Sequence, residues 1–228
     1  MVLTTTLLAN EQVHGGWLTG QLIELVRGGA EWVLWLLLAM LVATIVIFVE
    51  RLFYLRKLRV DSDALRAKLS DKMRAGDVDG LLVALEDDES MEARVLTYAL
   101  READRGPEAV LELAGGAIGS ERLRYERRLS FLATVGSNAP FIGLFGTVIG
   151  VILAFDQLQD STSTGGANTA IMGVIAEALI ATGVGLLVAI PAIIFFNLLK
   201  LRVNASVTQT RLLAQTAAAY LRRANEER

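Results

Sequence analysis

The chain contains no cysteine, only three prolines and a single histidine. Without cysteine it can form no disulfide, no thiolate metal site and no cysteine nucleophile. The histidine, His14, is followed by two glycines and lies outside every long apolar run, a position that favours neither a metal ligand nor a proton relay. We therefore expect no metal, no cofactor and no catalytic residue.

An excess of charge of one sign is also lacking. The 22 basic and 25 acidic residues are interleaved and give a net charge of −3, so nothing indicates a nucleic-acid partner. No base precedes Arg27, so the chain does not start with the basic region of a secretory signal peptide. The apolar run that follows is also too long for such a signal, and we expect it to be retained as a membrane span.

Apolar residues are abundant and lie in three runs. They make up 53% of the chain, and the mean hydropathy of +0.46 is higher than that of a soluble domain. Each run approaches or exceeds the roughly 20 residues that a helix needs to cross the hydrocarbon core of a bilayer. The sequence predicts an all-α membrane protein with three transmembrane helices, at 31–54, 129–157 and 169–199.

Basic residues at the ends of these runs indicate the orientation. Arginines and lysines follow the first run, precede the second and follow the third, whereas 156–169 contains neither. The positive-inside rule then places the N-terminus outside and the C-terminus in the cytoplasm. The remaining segments are an outer N-terminal segment at 1–30, a cytoplasmic helical domain at 55–128, an outer loop at 158–168 and a cytoplasmic C-terminal helix at 200–228.

The N-terminal segment at 1–30 has two possible interpretations. Residues 17–26 carry leucines and a valine on one side, which suits a short helix lying in the membrane interface. The alternative is a loosely ordered tail.

The cytoplasmic domain shows helical periodicity and clear end signals. Asp61 or Ser62 can cap the first helix, Gly76 can end it, and Gly106-Pro107 marks a break and restart. No proline or glycine interrupts 120–130, so we expect the last helix to run straight into the second span. The predicted helices lie at 62–75, 78–86, 91–105 and from 108 onwards.

The second run is rich in small residues. Gly143, Gly146 and Gly150 would let another helix approach closely, and Gly146 and Gly150 form a GxxxG pair. Association of helices in lipid depends on such close packing. We therefore predict that this helix is an interface element.

Two of the prolines, Pro140 and Pro191, lie inside the second and third runs. Each removes one backbone hydrogen bond, which is tolerated in a membrane helix when neighbouring polar groups or water take up the freed carbonyl. We expect a kink near Pro140, and Pro191 recurs in a similar small-residue context.

The third run contains a single acid, Glu177. A carboxylate at this depth costs at least a few kcal/mol if it faces lipid, so such groups usually face a bundle interior or a water-filled path. Glu177, Ala181, Gly185, Ala189 and Ala192 recur at spacings of four and three, so one face of the helix is small-sided and carries the acid. That face can line a narrow central space or accept a partner helix.

Two threonines, Thr147 and Thr182, lie in the same runs. Thr182 is about 140° around the helix from Glu177 at 100° per residue, so the two side chains cannot point at the same spot. Thr182 can bracket a pore wall or face the neighbouring helix. Either hydroxyl can also simply bond to a carbonyl of the preceding turn.

The segments GLFGTVIG at 143–150 and AEALIATGVGLLVAIPA at 176–192, with three spans in this loop order, resemble the ExbB/TolQ/MotA proton-channel family, and specifically its ExbB/TolQ branch. The resemblance implies a homopentamer in the bacterial inner membrane. It also implies that the pentamer encloses an ExbD/TolR-like single-span partner whose aspartate takes part in proton passage, with a TonB/TolA-like transducer beyond it. One departure is Met172-Gly173-Val174, where the family commonly has a proline.

In that family the positions that match Glu177, Thr147 and Thr182 face or neighbour the proton path. The resemblance therefore implies a proton-channel subunit of a motor that uses the proton motive force to drive energy transfer to the cell envelope or outer-membrane transport. The client system and the choice of proton over sodium stay open at the sequence level.

Two alternatives come from other classes. A structural membrane scaffold would explain the small-residue helices, with Glu177 as an interhelical hydrogen-bonding residue. A serine hydrolase could use Ser137, but no histidine or lysine lies at membrane depth to activate it. The sequence therefore favours the channel subunit and keeps the scaffold as the alternative.

Overall fold

The computed structural model describes residues 31–58, 60–160 and 167–226, and every regular element in these ranges is helical. Three helices are long and apolar enough to cross a membrane, which confirms the all-α class and the expected number of long apolar helices. His14, the segment at 17–26 and most of the loop at 158–168 lie outside the described ranges. The helices are α1 (Glu31–Lys57), α2 (Ser62–Arg74), α3 (Val78–Leu85), α4 (Met91–Leu100), α5 (Pro107–Glu126), α6 (Leu129–Asp160) and α7 (Ala167–Glu226), with a 3-10 turn (Ala103–Arg105) after α4.

The described residues divide into two compact units, which we name here and describe separately. The span unit combines the described parts of Met1–Val42 and Val135–Ile190. The bundle unit combines those of Ala43–Thr134 and Pro191–Arg228. The span unit therefore holds the predicted site, and the bundle unit holds the four short helices.

The helix ends in the bundle unit follow from local side chains. The Asp61 carboxylate accepts hydrogen bonds from the N–H groups of Asp63 and Ala64 and so caps α2. Gly76, at φ +69°, ends that helix in the left-handed conformation that glycine adopts without strain. Gly106, at φ +98°, precedes Pro107 at the first position of α5. These ends confirm the predicted cap, stop and restart. The single helix predicted at 91–105 is wrong, because α4 ends at Leu100 and a separate 3-10 turn follows.

The core of the bundle unit is made by one apolar face of each short helix and by the C-terminal part of α7. The Tyr125 hydroxyl accepts a hydrogen bond from the Met91 N–H at 2.9 Å, which fixes the start of α4 against α5. Glu126 accepts hydrogen bonds from Lys200 and Arg122, each at 2.7 Å, and these hold the pKa of its carboxyl below the usual value. Fully buried side chains include Leu69, Leu81, Leu96, Leu100, Val110 and Leu213.

The prediction that the last cytoplasmic helix runs straight into the second span is wrong. α5 ends at Glu126, Arg127 is extended at ψ 131°, and Arg128 adopts a left-handed φ of 68°. A left-handed residue with a side chain costs about 1–2 kcal/mol. Here the Arg128 guanidinium donates to the Glu50 carboxylate on α1, an ion pair that a continuous helix would place differently. The second span therefore starts as a separate helix at Leu129.

The third span, in contrast, continues as the sequence predicts. α7 runs for 60 residues without interruption and includes Pro191. α6 likewise continues through Pro140. The kink near Pro140 stays a prediction.

The bundle unit also contains a buried acidic residue whose burial was not predicted from the sequence. Glu92 is 4% exposed, and its Oε2 has no hydrogen-bond partner among the described groups. Burial raises the pKa of the Glu92 carboxyl and the charge of Asp88 adds to this, while hydrogen bonds from its own N–H and from Ser206 act in the opposite direction. Because the folded state then binds more protons than the unfolded state, stability falls as the pH rises above the ordinary carboxyl pKa.

We therefore expect Glu92→Gln to stabilise the protein at high pH. Glutamine keeps the shape of the side chain and never carries the buried charge. The midpoint of thermal unfolding of the detergent-solubilised variant should exceed that of the wild type at pH 8 and approach it at pH 5. Glu112→Gln, at an exposed position on α5, is the control and should follow the wild type. An equal gain at both pH values would contradict this assignment.

Candidate functional site

The backbones of α6 and α7 approach each other closely at two glycines. A Cβ added at Gly185 would stand 2.7 Å from the carbonyl oxygen of Ala139 and 3.0 Å from the Cα of Gly143. One added at Gly143 would stand 2.7 Å from the carbonyl oxygen of Ala181. These neighbours are backbone atoms, which cannot move aside as a side chain can. Only glycine fits at the two positions with this helix spacing.

The contact continues along both helices towards the C-terminal end of α6. A Cβ at Gly146 would stand 2.7 Å from the Ala181 Cβ and 3.4 Å from the Cγ1 of Val33 on α1. A Cβ at Gly150 would overlap the Cβ of Ala178. The small-sided rows of α6 and α7 therefore face each other within one chain, and Val33 of α1 packs beside them.

Glu177 lies on α7 at the edge of this packed surface. Ala178 and Ala181 beside it are buried, whereas Leu179 and Ile180 are exposed. Glu177 itself is partly exposed. In the described part of the chain no hydrogen bond or ion pair involves its carboxyl group. Within the described residues, the chain therefore provides no partner for the Glu177 carboxyl group.

The two threonines make different hydrogen bonds. The Thr182 hydroxyl donates to the Gly143 carbonyl oxygen at 3.2 Å, across from α7 to α6. The Thr147 hydroxyl donates to the Leu144 carbonyl oxygen at 2.7 Å, within α6 itself. Thr182 thus faces the neighbouring helix and Thr147 bonds one turn back. Whether either also borders a proton path stays a prediction.

A metal site has no support in the described ranges, which contain no group of three or more His, Cys, Asp or Glu side chains that could hold an ion. Among the polar residues of α6, the Asn138 amide donates to the Ser137 hydroxyl at 3.1 Å.

Sequence reasoning missed two buried charged residues, Arg51 and Glu92. Arg51 is one of several basic residues that follow the first apolar run, and Glu92 lies in the first turn of α4, where acids are common. Neither position indicates burial from the sequence.

Comparison with known proteins places these helices in a family. The profile of the MotA/TolQ/ExbB proton channel family matches residues 87–211, more than half of the chain. The chain belongs to the MotA/TolQ/ExbB proton channel family. The matched range contains the predicted site residues of α6 and α7, and the resemblance drawn from 143–150 and 176–192 is confirmed.

Individual relatives carry names from the ExbB/TolQ branch of the MotA/TolQ/ExbB family. The chain is 52% identical over 88 residues to the biopolymer transport protein ExbB-like 2 of Helicobacter pylori, covering 38% of this chain and 57% of that protein. It is 50% identical over 93 residues to the Tol-Pal system protein TolQ of Haemophilus influenzae, covering 39% and 38%. It is 40% identical over 121 residues to TolQ of Pseudomonas aeruginosa, covering 51% and 52%. The chain thus spans between about a third and three fifths of the length of these relatives. The first is named as a biopolymer transport protein and the other two as proteins of the Tol-Pal system.

Proposed function

We propose that this chain is an ExbB/TolQ-like proton-channel subunit of an inner-membrane motor that uses the proton motive force. The observation that carries the proposal is Glu177, the one ionisable group in the third apolar run, on a helix fixed against α6. Family membership adds independent support. The motor drives energy transfer to the cell envelope or outer-membrane transport.

The physical argument starts from the Glu177 carboxyl group, which has no hydrogen-bond or ion-pair partner in the described part of the chain. A charged Glu177 in contact with lipid would cost at least a few kcal/mol, so water or another chain must complete its surroundings. A carboxyl group in such a place can take up a proton from one side and release it to the other. Each proton that crosses a potential of 100 mV releases about 2.3 kcal/mol. Glu177 is therefore the group through which the chain couples proton movement to work.

The packing of α6 and α7 provides the fixed wall that this role requires. Gly143 and Gly185 set the helix spacing, and Thr182 links the two helices by its bond to Gly143. Because these contacts form within one chain, each subunit carries its own positioned acid. Five such subunits around an asymmetric partner would hold inequivalent Glu177 sites, and stepwise protonation could turn the partner relative to the ring.

The partner class is what membership of the MotA/TolQ/ExbB proton channel family implies. An ExbD/TolR-like protein with a single span and an intramembrane aspartate would occupy the centre of a homopentamer and supply the second titratable group. A TonB/TolA-like transducer would connect the motor to its client. The test is to co-express the chain with such a partner, purify the complex and measure proton flux in vesicles. The proposal requires a stable complex whose flux depends on the partner.

A scaffold is the second candidate, because the glycine contacts explain the small residues without any chemistry. It predicts a stable homo-oligomer that binds no single-span partner and passes no protons. That outcome of the same experiment would replace the motor with the scaffold.

A further inference from the structure

A buried arginine in the bundle unit has no role in the proposed proton path. Arg51 is 5% exposed, and its Nε is buried with no hydrogen-bond acceptor in the described part of the chain. Its guanidinium lies 5.1 Å from the centroid of the Tyr54 ring. A ring face attracts a cation but does not accept the Nε–H hydrogen bond. Because an unsatisfied buried donor is costly, this group calls for an acceptor from outside the chain.

The surroundings of Arg51 carry an excess of positive charge. Arg127 and Arg128 lie close enough to repel it, and Glu50 is the one carboxylate near enough to attract it among the described residues. Glu50 is also paired with Arg128. Three guanidinium groups therefore share one carboxylate, and the cluster can accept an anion.

The start of α6 adds to this cluster. α6 begins at Leu129, directly after the two arginines, and its first N–H groups have no acceptor within the helix. No side chain in the described ranges accepts from the N–H groups of Leu129, Ser130 or Phe131. The start of a helix is positive and suits a phosphate, which accepts from such N–H groups. The break at Arg127 and Arg128 thus places the start of a helix directly after two arginines of the cluster.

The position of the cluster identifies the anion. Glu50 and Arg51 follow the apolar run of α1, and Arg127 and Arg128 precede that of α6. Charged residues at the ends of membrane spans lie at the depth of the lipid headgroups, where phosphodiester oxygens are the abundant acceptors. Arginine binds phosphate through several parallel donors.

We propose that Arg51, Arg127, Arg128 and the first turn of α6 form a binding site for the phosphodiester headgroup of an anionic phospholipid such as phosphatidylglycerol. The lipid oxygens accept from the Arg51 Nε and from N–H groups in the first turn of α6, and the negative charge of the lipid offsets the excess positive charge of the guanidinium groups. A zwitterionic headgroup satisfies the same hydrogen bonds but brings its own cation to a site that is already positive. The site therefore distinguishes phospholipids by the net charge of the headgroup as well as recognising the phosphate group.

The test measures binding to the full-length protein in detergent. Short-chain phosphatidylglycerol, short-chain phosphatidylcholine and inorganic phosphate are titrated separately, and the midpoint of thermal unfolding is recorded. We expect a saturable rise with phosphatidylglycerol that exceeds the rise with phosphatidylcholine. Equal rises with the two lipids, or the same rise with inorganic phosphate, would overturn the assignment to an anionic lipid.

Variants identify the residues. Arg51→Gln should bind phosphatidylglycerol at least about tenfold more weakly, because a charge-assisted hydrogen bond is lost. Arg56→Gln removes the same charge from an exposed position on the same helix and should bind like the wild type. If Arg51→Gln does not fold, the exposed Arg127→Gln serves instead and should weaken binding several-fold. Unchanged affinity in the folded variants would place the lipid elsewhere.

Discussion

Glu177→Gln is expected to abolish proton passage while leaving the protein folded and assembled. Glutamine keeps the size and the hydrogen-bonding capacity of the side chain but cannot release a proton. In vesicles containing the chain and its single-span partner, an imposed potential should drive proton entry for the wild type. The variant should lose about a hundredfold or more of this rate, as expected when a proton-transfer group is removed.

Two further variants make this result specific. Glu177→Asp keeps an exchangeable proton on a shorter side chain, so flux should be reduced but measurable. Glu112→Gln removes one acid from the exposed surface of α5 and should leave flux unchanged. Wild-type flux through Glu177→Gln would mean that the carboxyl is a structural hydrogen-bonding group, as in the scaffold alternative.

Gly185→Ala is expected to destabilise the packing of α6 against α7. The new Cβ would stand 2.7 Å from the Ala139 carbonyl oxygen and 3.0 Å from the Gly143 Cα, so the helices must separate. Forcing an extra carbon into a packed contact typically costs about 1–3 kcal/mol. The midpoint of thermal unfolding should then fall by roughly 2–12 °C. Gly185→Leu should prevent the contact altogether and leave little folded protein.

The control lies two residues away on the same helix. A Cβ added at Gly183 meets nothing within 4 Å, so Gly183→Ala changes the helix propensity by the same amount without entering the contact. We expect this variant to be as stable as the wild type or slightly more stable. An equal loss of stability in both variants would mean that the glycines act through the backbone alone.

Thr182 links the stability of the contact between α6 and α7 to the proposed proton passage. Its hydroxyl reaches the Gly143 carbonyl only because neither helix carries a side chain at the crossing. Separating the helices breaks this bond and moves the α7 turn that carries Glu177. Substitutions at Gly143 or Gly185 should therefore reduce proton flux even where some folded protein remains.

Local features of the chain were predictable from the sequence. Asp61, Gly76 and the Gly106-Pro107 pair determine helix ends through contacts within a few residues, and the structure has them where the sequence puts them. The three spans follow from composition alone. Glu177 was identifiable because a single acid in a long apolar run is conspicuous without any knowledge of its neighbours.

Features that depend on distant residues were not predictable. The break at Arg128 relies on its ion pair with Glu50, which lies 78 residues earlier in the chain. The partner of Thr182 lies 39 residues away, and the sequence left its direction open. Burial of Arg51 and Glu92 depends on which faces of several helices meet. Helical periodicity reports the pattern of one element and cannot select these pairings.

The most direct test of the central claim is to observe the proton on Glu177. Infrared difference spectroscopy of the reconstituted complex, with and without an imposed proton gradient, detects protonated carboxyl groups by their carbonyl stretching band. We predict a carboxyl band that changes with the gradient in the wild type and is missing from the difference spectrum of Glu177→Gln. A difference spectrum that is the same in both proteins would contradict the claim that Glu177 exchanges protons during transport.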